Sequence, residues 1–174
     1  MLPSSPTLRP ALPADVPALA DLINRAYRGV PAQAGWTTEG HLLAGPRIDE
    51  ATLLALLAAP SAVLLRAELA GQPAGCVHLE PQGDALYLSL LAVAPGAQAH
   101  GLGRQLLTAA EAYARQSGCR RVQMSVLAQR PDLLAWYERQ GYRRTGASEP
   151  FPDTMRFGQP RQPLTLLMLE KVLQ

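Results

Sequence analysis

Apolar and polar positions along the chain fall into blocks of changing period, and each change marks an element. Leu19, Leu22, Ile23, Ala26 and Tyr27 recur on one helical face after Asp15, which can cap that helix. Asp49 and Glu50 open a second helical stretch, in which Leu53, Leu54, Leu56 and Leu57 give a broad apolar face ending at Pro60. Thr7 to Arg9, Ala62 to Leu69 and Ala74 to Glu80 read as strands, the last two joined by a turn at 70–73. After a turn at Gln82-Gly83-Asp84, residues 86–94 form an apolar run without charge, as a strand covered on both faces would. Pro95, lacking an N–H for a sheet ladder, stops it. Beyond Gly103, Leu106, Leu107, Ala110 and Tyr113 return to helical spacing, with Gly118 as the stop. Arg121 to Leu127 alternates as a strand. Pro131 starts a helix that buries Leu133, Leu134 and Tyr137 and ends at Gly141. Tyr142 to Thr145 begins another strand, and Leu164 to Val172 closes the chain. Glycine and proline interrupt two segments, 29–48 and 146–163, which predict irregular structure. Antiparallel strands that lead into a strand–turn–helix unit predict an α+β fold whose sheet turns parallel at its far side. The length predicts one domain over 1–174.

Composition narrows the function. With 48% hydrophobic and 17% charged residues, the chain can bury a substantial core. The net charge is only +2 and the cations include a single lysine, Lys171, so no basic nucleic-acid footprint exists; nucleic acid is not an expected partner. Cys76 and Cys119 lack metal spacing and read as reduced thiols. His78 and Glu80 share one strand face but no third ligand has suitable spacing, so no metal is expected. No apolar run approaches a membrane span and no charged-then-apolar leader is present; a cytoplasmic chain without a membrane partner is expected.

The most informative stretch is the turn after Pro95. Gln98-Ala99-His100-Gly101-Leu102-Gly103-Arg104 places two glycines at a helix start, where unpaired N–H groups and the helix dipole can receive an anion. Arg104 opposes the dipole of a bare helix, a placement that suits a bound polyphosphate. Two glycines can also merely shape the turn. The wider pattern, Val93-x-Pro95 followed by Gln98-x-x-Gly101-x-Gly103 and an amphipathic helix, resembles the acetyl-CoA-binding motif of the GNAT superfamily of N-acetyltransferases. Leu134-Ala135-Trp136-Tyr137-Glu138-Arg139-Gln140-Gly141-Tyr142 resembles the second signature of that family, in the expected order.

The resemblance implies a GNAT-like fold: a mixed, mostly antiparallel sheet of about seven strands, a splayed central strand pair and about four helices. It implies acetyl-CoA as cosubstrate, with backbone groups at Leu91, Ala92 and Val93 along the pantetheine arm. Gln98, Ala99, His100, Gly101, Leu102, Gly103 and Arg104 would cradle the pyrophosphate. It implies Tyr137 as the general acid that protonates the departing thiolate; the alternative is a core aromatic. The strand at 86–94 carries no carboxylate, leaving Glu39 or Glu80 through water as candidate bases. Trp36 and Glu39 would line the acceptor pocket, or else Trp36 fills the core and Glu39 caps a short helix. Many relatives carry Asn where this chain has Arg130, which could still reach a phosphate. The function implied is acetyl transfer, without a covalent acyl-enzyme, to a primary amine of a small molecule or peptide. The alternative is a catalytically silent CoA-binding sensor or interaction module. A homodimer stays open.

Overall fold

The computed structural model describes residues 5–29 and 38–174. Strand β1 (Thr7–Pro10) and a short 3-10 turn (Pro13–Asp15) lead into helix α1 (Val16–Arg28). A two-residue strand β2 (Leu43–Ala44) precedes α2 (Glu50–Ala58), β3 (Val63–Leu69), β4 (Gln72–Gln82) and β5 (Ala85–Val93). After a second 3-10 turn (Pro95–His100) come α3 (Leu102–Gln116), β6 (Arg121–Leu127) and α4 (Pro131–Arg139). The chain closes with β7 (Arg143–Pro150), β8 (Gln159–Pro160) and β9 (Thr165–Val172). Among the described residues this gives four α-helices and a seven-stranded sheet of order β1-β3-β4-β5-β6-β9-β7, parallel only between β5 and β6.

Helices cover both faces of the sheet. Leu19, Leu22 and Ile23 of α1 pack with Leu53 of α2 on one face; Leu102, Leu106 and Ala110 of α3 pack with Leu134 and Tyr137 of α4 on the other. The expected start of α2 holds, since the Asp49 carboxylate accepts a 2.6 Å bond from the Thr52 N–H. Its apolar face is narrower than the sequence implies, because Leu54 stands in solvent.

Three boundaries differ from the sequence reading. The β3–β4 turn is only Ala70-Gly71, both with positive φ, as a two-residue hairpin loop demands; β4 therefore starts earlier, at Gln72. β7 runs on to Pro150, its ladder to β9 interrupted between Arg144 and Ser148. β8 lies inside the second irregular segment and pairs with β2 in the first, tying the two together.

Asp15 does not cap α1. Its carboxylate accepts from the Leu12 N–H at 2.8 Å and from Arg9 at 2.8 Å, and also pairs with the buried Arg66. The Arg9 hydrogen bond, ahead of the Arg66 charge, holds the Asp15 carboxyl well below the usual carboxylate range. A carboxylate whose folded-state pKa is depressed stabilises above its unfolded pKa, near 4, and loses that contribution as pH falls below it. Asp15→Asn is expected to cost about 3 kcal/mol at pH 7, the lower end for breaking a buried pair because Glu68 still holds Arg66 at 2.6 Å. Urea unfolding at pH 7 and pH 3 checks this: the gap between the two proteins should narrow at the lower pH.

Candidate active site

The site is built on an irregularity in β5. Ser89 pairs with His78 and Ala92 with Cys76, so three steps on β5 match two on β4. The extra residue is a bulge, and Leu90 adopts φ +53° there, in the left-handed region. One added residue reverses the side-chain alternation. Leu86 and Leu88 point to the α3–α4 face, whereas Leu90 and Ala92 belong to the α1–α2 face. β5 also parts from β6: they pair only from Ala85–Arg121 to Tyr87–Gln123, and a 3.0 Å bond from the Tyr87 hydroxyl to Ser125 Oγ spans the start of the gap. β6 stays paired with β9 along its length, so the slot opens between β5 and β6 alone.

A groove of about 550 Å³ runs from the start of α3 to this slot. Gln98, Gly101, Gly103 and Arg104 line its outer end, and Leu91, Val93, Trp136 and Tyr137 its inner end. Gly101 takes φ +68° immediately before α3, which suits glycine. A Cβ on Gly103 would lie 3.2 Å from the Trp136 ring, so a side chain there fills the groove. A helix N-terminus bared by two glycines, with Arg104 beside it, fits a bulky polyphosphate such as that of acetyl-CoA.

Of the other residues expected along the cofactor, Ala92 and Leu102 have buried side chains that belong to the core, and His100 is exposed outside the groove lining. Ala99 lies between them in the turn. Leu133, Trp136, Asp132 and Arg139 of α4 also line the groove and were missed as a group. The spacing of Leu133, Trp136 and Tyr137 on one helical face carried that signal.

A second cavity, of about 430 Å³, meets the groove where Tyr27, Leu91, Leu133 and Tyr137 line both. The Tyr27 hydroxyl donates to the Leu91 carbonyl at 2.9 Å, which fixes the backbone beside the bulge. Tyr137 packs edge-on to Trp136 and Tyr142, and burial pushes its phenol well above its ordinary pKa. Glu39, His78, Glu80 and Ser89 line the second cavity, joined by Phe151, Arg156 and Phe157 from the later irregular segment. His78 Nδ1 lies 3.2 Å from Ser89 Oγ, and burial lowers its pKa.

Among the described residues Glu39 caps no helix. It is 6% exposed and sits between Arg130 at 3.7 Å and Arg28 at 3.9 Å, with burial raising its pKa against the pull of those charges. Arg130 turns inward, 3% exposed, to Glu39 and to Asp132 at 3.3 Å; these partners account for its charge without a phosphate. Trp36 lies outside the described residues. Among the described residues no group of three His, Cys, Asp or Glu side chains could hold a metal ion, and no helix is long and apolar enough to cross a membrane.

The family model of the GNAT acetyltransferases matches residues 17–142, from the start of α1 through Tyr142. The chain belongs to that family. GNAT-type solved structures share its fold over nearly the whole length. Ribosomal-protein-alanine N-acetyltransferase from Brucella melitensis is 24% identical with a TM-score of 0.70, covering 96% of this chain and 99% of its own. YncA from Salmonella typhimurium, solved with its cofactor acetyl-CoA, is 23% identical with a TM-score of 0.70 over 98% and 95%. PaiA N-acetyltransferase from Thermoplasma acidophilum, in complex with coenzyme A, is 16% identical with a TM-score of 0.71 over 97% and 99%. The fold and the acetyltransferase class are thereby established for this GNAT protein.

Proposed function

We propose that the protein acts as a single cytoplasmic domain that uses acetyl-CoA to acetylate a primary amine of a small molecule or peptide. The observation that carries this reading is the meeting of two cavities at Leu91 and Tyr137, one ending in a glycine-lined helix start and the other in a charged acceptor chamber. Bound acetyl-CoA supplies an acetyl group activated as a thioester. The start of α3 and Arg104 hold its phosphates, and the edge of β5 at Leu91, Ala92 and Val93 offers backbone groups to the arm and the carbonyl. The parting of β5 from β6 leaves room for that arm.

Tyr137 sits at the junction and serves as general acid toward the departing sulfur. Its raised pKa keeps the phenol proton in place throughout the working pH range. Glu39, Glu80 and the exposed Glu149 line the acceptor cavity, and the first two are the candidates to receive the amine proton. Glu39 is committed to two arginines, so Glu80, half-buried on β4 in register with Tyr87, is the freer of the two and takes the proton through water. Glu80→Gln is expected to lower kcat/KM roughly 100-fold, the usual range for a general base, with acetyl-CoA binding unchanged. Glu39→Gln instead removes the anion that Arg28 and Arg130 share, leaving Asp132 to Arg130, and is expected to act first on stability. Steady-state kinetics and thermal unfolding of both variants separate the roles; an intact rate in Glu80→Gln removes Glu80 as the base.

A further inference from the structure

Three arginines, Arg28, Arg47 and Arg156, and three glutamates, Glu39, Glu80 and Glu149, line the acceptor cavity. The Glu39 carboxylate is taken by Arg28 at 3.9 Å and by Arg130, outside the lining, at 3.7 Å. Arg47 makes no ion pair among the described residues, and residues 30–37 contain no charged side chain that could supply one. Its guanidinium carbon lies 5.3 Å from the Tyr27 ring and 5.3 Å from the Phe157 ring, held by two cation–π contacts. Its Nη1 is buried with no hydrogen-bond partner. The Asn24 side chain fixes the backbone beneath it, accepting from the N–H groups of Arg47 and Ile48 at 2.8 and 3.1 Å. A guanidinium that is rigidly placed, with a buried N–H group left without a hydrogen-bond partner, has a cost that a ligand's anion would remove.

The position of that anion follows from Tyr27. The same ring that supports Arg47 donates its hydroxyl to the Leu91 carbonyl at the junction with the cofactor groove. An anion on Arg47 is therefore close to the point where the acceptor nitrogen must arrive. Leu127, Met124, Phe151 and Leu166 supply apolar wall elsewhere in the cavity. We propose that the acceptor is an amine with an adjacent carboxylate, of the α-amino-acid class with an apolar side chain, and that Arg47 holds its carboxylate. This rests on the amine-acetylation reading above.

The test is a matched panel. L-leucine, L-methionine and L-phenylalanine are each compared with their amides and their decarboxylated amines, rates being expressed per free amine. One charge-assisted hydrogen bond favours the carboxylate form by roughly tenfold to a hundredfold in kcat/KM. Arg47→Gln should erase that preference while keeping its thermal shift with acetyl-CoA, and Arg47→Lys should retain part of it. Equal use of acids and amides, or a preference untouched by Arg47→Gln, overturns the proposal. If no amine in the panel releases thiol, N-acetyl-L-leucine and N-acetyl-L-leucinamide are compared for thermal stabilisation of the CoA-loaded protein. Stabilisation by the acid alone, lost in Arg47→Gln, upholds the anion site while the acetylation reading fails; equal effects of acid and amide overturn the site itself.

Discussion

Gly103→Glu is expected to weaken acetyl-CoA binding by at least about 100-fold, the largest single effect on the cofactor site. Two costs combine. A Cβ at this position already lies 3.2 Å from the Trp136 ring, so the new side chain occupies the groove. It also places a carboxylate beside the bound phosphates, and like charges brought together in a binding site cost several kcal/mol. Wild-type protein with acetyl-CoA at about a hundred times its Kd should gain about 2.7 kcal/mol, a shift of several degrees in Tm at this size. The variant should gain about 0.4 kcal/mol or less at the same concentration, a shift of about a degree at most, while its ligand-free Tm stays close to wild type. A retained shift would place the phosphates somewhere other than the start of α3.

Tyr137→Phe is expected to lower kcat by about a hundredfold to ten-thousandfold, the range assigned to a positioned general acid, with acetyl-CoA binding retained. The substitution removes one oxygen and keeps the ring that packs against Trp136 and Tyr142, so a large rate loss with an unchanged Tm would separate chemistry from packing. The pH profile gives a second readout. Burial raises the Tyr137 pKa well above 10, so the phenol stays protonated as pH rises and kcat/KM should climb with amine deprotonation, without a falling limb before pH 10. A wild-type rate in Tyr137→Phe would leave the tyrosine as a core aromatic and pass its role to water.

Local chemistry made part of this site legible from sequence. The glycines of the turn, Pro95 and the amphipathic pattern of α3 each act within a few residues, and the structure places them as the spacing predicts. β6 and the start of α4 likewise coincide with their patterns, because alternation and a leading proline are local signals. The bulge at Leu90 left no trace, since an apolar run buried on both faces shows no change of period when one residue is inserted. Pairing of β2 with β8 joins two Gly/Pro-rich segments through backbone bonds, which carry no side-chain signature. Nor could spacing show that Arg130 would turn inward to Glu39 rather than out to a phosphate; that follows from a long-range contact between a buried carboxylate and its partners.

The most direct test of the account is acceptor-dependent thiol release from acetyl-CoA by the purified wild-type protein, with the acetylated amine quantified in the same samples. The account predicts thiol and N-acetyl product in equal amounts, both requiring the amine and both strongly reduced in Tyr137→Phe. Acetyl-CoA binding by thermal shift, with no thiol released by any primary amine, would contradict it and leave the chain as a cofactor-binding module without transfer activity.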